Sequence, residues 1–172
     1  MTMTGANRRA ELVKRIETSD VPLSASFLGK EFGVTRQVIV GDVARLRSEG
    51  NAIIATARGY LFDRQNQVGY RKKIACCHSP EQTQAELYLL VDLGVYIENV
   101  MIEHEVYGEL VGTLRLTSRR DVDEFMTRLA TSSVKLLSEL TEGVHLHTVI
   151  CESQAHFEQV TDAMKNAGFL VT

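Results

Sequence analysis

The chain has 172 residues, of which 44% are hydrophobic and 24% are charged. This composition is typical of a globular protein and excludes collagen-like, coiled-coil and wholly disordered chains. The apolar runs are far shorter than the roughly 18 residues of a membrane span, and residues 1–7 lack the apolar segment of a secretory signal, so we expect no membrane partner. The net charge of −3 argues mildly against a nucleic-acid-binding protein.

Charge is unevenly distributed along the chain. Residues 1–68 carry ten Lys/Arg and seven Asp/Glu, a net charge of +3, whereas residues 69–172 carry nine and fifteen, a net charge of −6. The second part also holds all five histidines and all three cysteines. This asymmetry predicts two domains with different partners, over residues 1–66 and 67–172. The odd number of cysteines argues against a disulfide framework, and we expect a cytoplasmic protein with reduced thiols.

The first domain has the pattern of three short helices followed by a hairpin. Apolar residues at helical spacing predict helices over residues 8–18, 24–32 and 36–48, and two apolar segments around Ala57-Arg58-Gly59 predict a β-hairpin over residues 53–62. Thr35 is a suitable N-cap for the third helix, and Gly50 is suited to end it. This order is the winged helix-turn-helix layout, whose third helix reads the major groove of DNA.

The outward face of the third helix carries the residues expected to contact DNA. Arg36 can pair with guanine or with a phosphate, Gln37 with adenine, and Val40 can touch a thymine methyl group. Gly41 either allows the backbone to approach DNA closely or is simply a tolerated mid-helix glycine. The predicted DNA-contacting set is Thr35, Arg36, Gln37, Val40, Gly41, Arg45 and Arg58. A winged helix that binds only proteins is the alternative.

The second domain alternates strands and helices. Strands are predicted over residues 73–78, 95–105, 110–116, 145–151 and 168–171, and helices over residues 80–93, 119–129 and 154–166. This order predicts an α+β fold overall, in which an α/β sandwich follows the winged helix. We expect one mainly antiparallel sheet covered by helices on one face.

The histidines suggest a metal site in this domain. The segment Gly143-Val-His-Leu-His147 puts His145 and His147 on the same face of a strand. Two imidazoles on one sheet face form a natural pair of metal ligands, although unconnected surface or core histidines explain such spacing more often. His78 at a strand end and Glu86 in the next helix can complete three nitrogen ligands and one oxygen ligand. Such a set suits zinc, iron or nickel better than magnesium or calcium.

Several of these segments resemble known families. The stretch from Val34 to Gly50, continuing to Gly59-Tyr60, resembles the biotin-repressor-type helix-turn-helix, in which Ser usually replaces Thr35 and a larger polar residue often replaces Gly41. The ordered set of Cys77-His-Ser-Pro, Glu86, Glu-His-Glu-Val-Tyr-Gly around His104, and Gly-Val-His-Leu-His-Thr resembles the 3H domain. One departure is Glu105, where that family commonly has Pro.

Together the two domains resemble the nicotinate-responsive transcriptional repressors of NAD synthesis and niacin uptake, over almost the whole chain. The resemblance implies nicotinic acid as co-repressor and a homodimer on double-stranded operator DNA. It implies one transition-metal ion per chain, zinc, nickel or iron, held by His78, Glu86, His145 and His147. We expect His104 and Tyr107 to contact the effector, although His104 can equally be a strand histidine satisfied by a backbone carbonyl.

Two other functions remain open from the sequence. The first is a regulator that responds to the metal itself and not to nicotinate. The second is a metal-dependent hydrolase with Glu103 or Glu105 as the base, although no nucleophile motif accompanies these residues. We therefore expect a regulator and not an enzyme, with no catalytic residue to assign.

Overall fold

Two folding units make up the chain, and the computed structural model describes them over residues 3–63 and 69–172. They divide the chain into Met1–Asn66 and Gln67–Thr172. Most of the polar segment at which the charge changes sign, residues 63–67, lies outside the described residues. Within the described ranges, no helix has the length and apolar character that a membrane crossing requires.

The first unit contains the predicted three helices and hairpin. Their bounds are α1 Gly5–Glu17, α2 Ala25–Phe32, α3 Arg36–Ser48, β1 Ile53–Thr56 and β2 Gly59–Phe62. Thr4, Ser24 and Thr35 are the N-caps, and each side-chain oxygen accepts a hydrogen bond from the backbone N–H three residues later. These caps satisfy amide groups that the first helical turn leaves without a partner, which explains where each helix begins.

Buried apolar side chains from the three helices and β1 form one core, and the partly buried Tyr60 and Phe62 of β2 pack against it. The largest of the buried side chains are Leu12, Ile16, Leu28, Ile39 and Leu46, each at most 4% exposed. The hairpin is tied to the segment before α2 by an antiparallel bridge between Leu23 and Tyr60. Gly59 permits this approach, because a Cβ atom at its φ of 135° would lie 2.4 Å from the Leu23 carbonyl carbon.

A buried ion-pair cluster fixes α3 against α1. The Asp42 carboxylate lies 2.6 Å from Arg8 Nε and 3.5 Å from Arg9 Nη1, and the Asp42 side chain is 7% exposed. The hydrogen bond to Asp42 raises the pKa of Arg8. Asp42 shares the buried face of α3 with Ile39 and Leu46, so the cluster holds the helix in place beside its apolar contacts.

The second unit is a four-stranded antiparallel sheet with three helices. The strands are β3 Tyr70–Cys77, β4 Tyr96–His104, β5 Gly108–Leu116 and β6 Val144–Cys151, and the helices are α4 Thr83–Asp92, α5 Arg119–Thr131 and α6 Gln154–Asn166. The strand order is β3-β6-β4-β5, and every neighbouring pair is antiparallel. Short 3-10 turns span Pro80–Gln82 and Leu137–Thr141. The predicted α+β class is confirmed.

One core lies between the sheet and its helices. Leu87, Val122 and Val160 come from α4, α5 and α6, and they join Ile74 of β3 and Val149 of β6 in a single buried cluster. Side chains at alternate positions of each strand face this core. All three helices therefore cover the same face of the sheet.

The predicted fifth strand over residues 168–171 is wrong. This segment makes one isolated bridge, from Leu170 to Cys76 of β3. Two backbone hydrogen bonds make up this bridge, from Cys77 N–H to the Phe169 carbonyl and from Val171 N–H to the Ala75 carbonyl. The segment is too short to form a regular ladder, and it serves to bury Phe169, which is 6% exposed.

We predict that Asp42→Ala lowers the free energy of unfolding of the first unit by about 2 kcal/mol, because it leaves two arginines without their buried partner. Urea titration of the full chain, followed by hydrogen exchange of α1 and α3 amides, measures the change. Glu49→Ala is the matched control, since Glu49 pairs with Arg45 on the exposed side of α3 and should cost only about 0.3 kcal/mol. Equal effects of the two substitutions would contradict the structural role of Asp42.

Candidate metal centre, cavity and DNA interface

The predicted metal ligands meet inside the second unit. His78 directly follows β3, Glu86 lies in the first half of α4, and His145 and His147 lie two residues apart on β6. All four are buried, and Glu86 is only 1% exposed. A carboxylate this deep in an apolar core requires nearby positive charge or hydrogen-bond donors.

The three imidazole rings point their Nε2 atoms at the same carboxylate. His78 Nε2 lies 2.5 Å from Glu86 Oε2, and the Nε2 atoms of His145 and His147 each lie 3.2 Å from Glu86 Oε1. The ring centroid of His145 is 4.8 Å from that of His78 and 4.9 Å from that of His147. The four side chains therefore surround one small volume.

The opposite nitrogen of each ring is held by a backbone carbonyl. His78 Nδ1 lies 2.8 Å from the Ser79 carbonyl oxygen, His145 Nδ1 2.9 Å from that of Gly143, and His147 Nδ1 2.8 Å from that of Asn99. A carbonyl oxygen can only accept, so each Nδ1 donates and carries a proton. In the neutral ring, Nε2 is then the unprotonated atom with its lone pair directed at the cluster. Metal-bound histidines commonly have this arrangement.

Electrostatics within the cluster favour an ionised carboxylate. Burial raises the pKa of Glu86, but the imidazoles around it, His147 first and then His145 and His78, outweigh this effect when they are protonated at Nε2, and they hold the pKa well below its usual range. Burial lowers the pKa of His78, but the hydrogen bond to Glu86, the charge of Glu86 and the hydrogen bond to the Ser79 carbonyl together raise it above its ordinary value. The cluster is therefore arranged around a buried negative charge.

The donor set fits a bound cation. Three neutral imidazoles and a carboxylate have more lone pairs than protons to share among them. The His147 Nε2 atom is buried and, although it lies 3.2 Å from Glu86 Oε1, it forms no hydrogen bond with adequate geometry among the described residues. A cation among the four side chains would satisfy this nitrogen and neutralise the carboxylate together.

Local backbone geometry explains the glycine before the two histidines. Gly143 has a φ of 93°, and a Cβ atom there would lie 2.4 Å from the His78 carbonyl oxygen. Only glycine therefore lets the start of β6 approach the end of β3 this closely. Sequence reasoning treated Gly143 as part of the motif but did not identify this contact.

Cys76 is a further donor atom that sequence reasoning did not associate with the site. Its Sγ atom, a Glu86 carboxylate oxygen and a His145 ring nitrogen lie within 4.8 Å of one another. Burial raises the pKa of the Cys76 thiol, and the neighbouring Glu86 charge raises it further. The thiol is therefore protonated and, as expected from the sequence, behaves as a buried apolar side chain.

A cavity adjoins the four predicted metal ligands. One wall contains the three histidines and Glu86, together with the hydroxyl-bearing Thr83 and Ser138. The remaining lining residues are apolar and come from α4, β4, β5, α5 and the segment around the second 3-10 turn: Leu87, Val100, Leu114, Phe125, Leu136 and Leu137. A cavity with apolar walls and a few convergent polar atoms is the usual form of a small-molecule site.

His104 and Tyr107 do not line this cavity. They lie at the tip of the β4–β5 hairpin, where His104 Nδ1 accepts hydrogen bonds from the backbone N–H groups of Val106 and Tyr107. Tyr107 is 74% exposed, and its ring centroid is 5.1 Å from that of His104. Within one chain, His104 therefore acts as a cap for the turn. Glu105 is exposed in the same turn.

The first turn of α3 presents polar side chains to solvent. Arg36 and Gln37 are exposed, and Thr35 accepts the N–H of Val38 at 3.3 Å as the N-cap. Gly41 is also exposed, and a Cβ atom there would meet nothing within 4 Å. No packing contact within the described residues therefore requires a glycine at this position.

The other predicted DNA-contacting residues are less available. Val40 is half-buried and packs against the core of the first unit. Arg45 Nε lies 3.0 Å from Glu49 Oε1 in an exposed ion pair. Arg58 is half-buried in the turn of the hairpin, where its backbone N–H donates to Thr56 Oγ1. Sequence reasoning missed Asp42, although its position on the apolar stripe of α3 signals a buried carboxylate.

Comparison with known proteins agrees with this architecture. A family model described as an HTH domain matches residues 8–61, and one described as a 3H domain matches residues 71–172. The chain is 39% identical to "Transcription repressor NadR" of Bacillus subtilis (strain 168) over 175 residues, 99% of this chain and 97% of the relative. It is 37% identical to "Probable transcription repressor NiaR" of Thermotoga maritima over 164 residues, 95% of this chain and 93% of the relative.

Both relatives are named as transcription repressors and neither as an enzyme. The matches span both units, and the helix-turn-helix match contains the exposed first turn of α3. The sequence-based prediction of a DNA-binding regulator is therefore confirmed at this level. The chain belongs to the NiaR-type family of DNA-binding transcription repressors, in which a helix-turn-helix domain is joined to a 3H domain.

Proposed function

We propose that this repressor responds to nicotinic acid and controls genes of NAD biosynthesis and niacin uptake, as its sequence resemblance implies. In this proposal, residues 1–66 bind double-stranded operator DNA, and residues 67–172 bind a transition-metal ion and the effector. The proposed location is the cytoplasm, with the chromosomal DNA. The observation that carries the proposal is the convergence of three Nε2 atoms on the buried Glu86 carboxylate, beside a largely apolar cavity.

The proposed metal ligands are His78, Glu86, His145 and His147. Three imidazole nitrogens and one carboxylate oxygen suit zinc, nickel or iron. The hydrogen bonds from Nδ1 to backbone carbonyls keep the rings oriented whether or not a cation is bound. When bound, the cation supplies positive charge and a coordination position that a donor atom of the effector can occupy.

The cavity supports an organic effector over a metal signal alone. Nicotinic acid is a single planar ring with one carboxylate, and its ring faces are complementary to side chains such as Leu87 and Phe125. A regulator that responds to the metal alone requires the four ligands but no cavity with apolar walls. The predicted effector contacts of His104 and Tyr107 stay predictions, and the cavity residues are the stronger candidates.

For DNA binding, we propose that the first turn of α3 enters the major groove. Thr35, Arg36 and Gln37 are then directed to phosphates or base edges, and Gly41 faces the groove. A homodimer would place two such helices roughly 34 Å apart, one turn of DNA. Nicotinic acid would act by binding more tightly to the dimer geometry that fits the operator, because a ligand that binds both states equally shifts nothing.

We predict that nicotinic acid tightens operator binding only in the metal-loaded protein. The measurement is a titration of full-length protein with a duplex selected in vitro for binding, with and without nicotinic acid and before and after chelation. If nicotinic acid has no effect on metal-loaded protein, the proposal is wrong. If chelation abolishes DNA binding in that case, the metal-responsive alternative is favoured.

We predict that Glu86→Gln weakens metal binding by more than about 100-fold, because it removes both a ligand oxygen and the buried negative charge. Loss of a residue that only hydrogen-bonds a metal ligand typically weakens metal binding by about 10- to 100-fold. Equilibrium dialysis with zinc, nickel and ferrous iron measures the affinity and the expected single ion per chain. His104→Asn is the matched control, since His104 lies outside the cluster. The metal affinity of this variant should equal that of the wild type. Unchanged binding by Glu86→Gln would exclude this ligand set.

We predict that Arg36→Ala weakens binding to the selected duplex by about tenfold or more, since a bidentate contact to guanine contributes about 1–3 kcal/mol. Arg120→Ala is the control, because Arg120 is an exposed arginine of the second unit that pairs with Glu124. Fluorescence anisotropy of labelled duplex at fixed salt concentration measures both affinities. Full affinity and specificity of the Arg36 variant would overturn the assignment of α3 as the recognition helix.

A further inference from the structure

One polar residue that lines the cavity, Thr83, has no place in the proposed metal site. Thr83 is 6% exposed, and its Oγ1 atom is buried with no hydrogen-bond partner among the described residues. The residue lines the same cavity as His147 and Glu86. Leaving a buried hydroxyl unsatisfied is unfavourable, so such a group in a cavity wall points to a ligand that completes it.

The position of Thr83 in the fold indicates the charge of that ligand. Thr83 is the first residue of α4, which continues directly from the 3-10 turn Pro80–Gln82, so it lies near the N-terminal, positive end of this helical segment. Glu86 follows three residues later on the same side of the helix, one turn further from the N-terminus. An anionic group is thus favoured near Thr83 and disfavoured near the Glu86 carboxylate.

The remaining walls indicate the shape of the ligand. Leu87, Phe125 and Leu137 contribute apolar surface to the same cavity. A flat aromatic ring can bury both faces against such side chains. The ligand chemistry that satisfies all three requirements is a small heteroaromatic carboxylate whose neutral ring nitrogen faces the cluster.

We infer that Thr83 is the specificity-determining residue for the effector, and that its hydroxyl donates a hydrogen bond to the effector carboxylate. This inference rests on the proposed function and adds an orientation to it, with the carboxylate at the N-terminus of α4 and the ring nitrogen toward His147. A hydrogen bond to a charged acceptor is stronger than one to a neutral group. Thr83 therefore favours a carboxylate over the corresponding amide.

The test is calorimetric titration of metal-loaded, full-length protein with nicotinic acid and with nicotinamide. Thr83→Val keeps the shape of the side chain and removes the hydroxyl, and we expect it to weaken nicotinic acid binding about 10- to 100-fold. We expect a smaller loss for nicotinamide. Thr83→Ser restores the donor and should stay within about threefold of the wild type.

A second measurement separates ligand binding from structural damage. Because Oγ1 has no hydrogen-bond partner among the residues that the structure describes, Thr83→Val should unfold at the same temperature as the wild type or higher, and its metal stoichiometry should be unchanged. A lower unfolding temperature or lost metal would assign Thr83 a structural role and overturn the inference. Wild-type affinity of Thr83→Val for nicotinic acid would overturn the inference alone. No binding of nicotinic acid by the wild type would overturn the proposed function as well.

Discussion

The structure of the second unit depends on the hydrogen bonds from three histidine Nδ1 atoms to backbone carbonyls. The carbonyls belong to Ser79, Gly143 and Asn99, in three separate segments of the chain. Asn99 can accept because β4 is irregular between Ile97 and Asn99, where the register shifts against both neighbouring strands. Such an irregularity changes the direction of backbone N–H and C=O groups that would pair with the neighbouring strand in a regular ladder. The directions of the three Nε2 atoms, and with them the binding volume around Glu86, thus follow from the strand register.

In the first unit, several arginines form ion pairs with carboxylates of the same unit. Arg8 and Arg9 are held by Asp42, whereas Arg15 pairs with Glu31 across the surface. The exposed Arg36 is engaged in no ion pair within the described residues. The net charge of −3 for the whole chain therefore combines a basic first unit with an acidic second unit. Within the first unit, the position of each arginine matters more for DNA binding than the total charge.

The sequence predicted the elements well and the contacts between them less well. Local signals can be recognised in a single sequence. They include helix periodicity, Ser/Thr caps and the two-residue spacing of His145 and His147. The Asn99 carbonyl and the Thr83 hydroxyl approach the site from other elements through strand register and helix packing, so no local pattern marks them. The error over residues 168–171 concerns length, since this short segment meets the β3 edge at one bridge and does not extend into a ladder.

His147 belongs both to the proposed metal cluster and to the lining of the cavity. Under the proposed function, this has a thermodynamic consequence. Binding free energies of two ligands at adjoining sites are reciprocal: whatever the cation adds to effector affinity, the effector adds to cation affinity. The cation would place positive charge beside the cavity, where the low dielectric constant strengthens its attraction for an electron-rich ring nitrogen. Glu86 would reduce that charge, because its carboxylate lies beside the same three imidazoles. Under the proposed function, the same buried carboxylate would determine both how tightly a cation is held and which end of an anionic effector faces it.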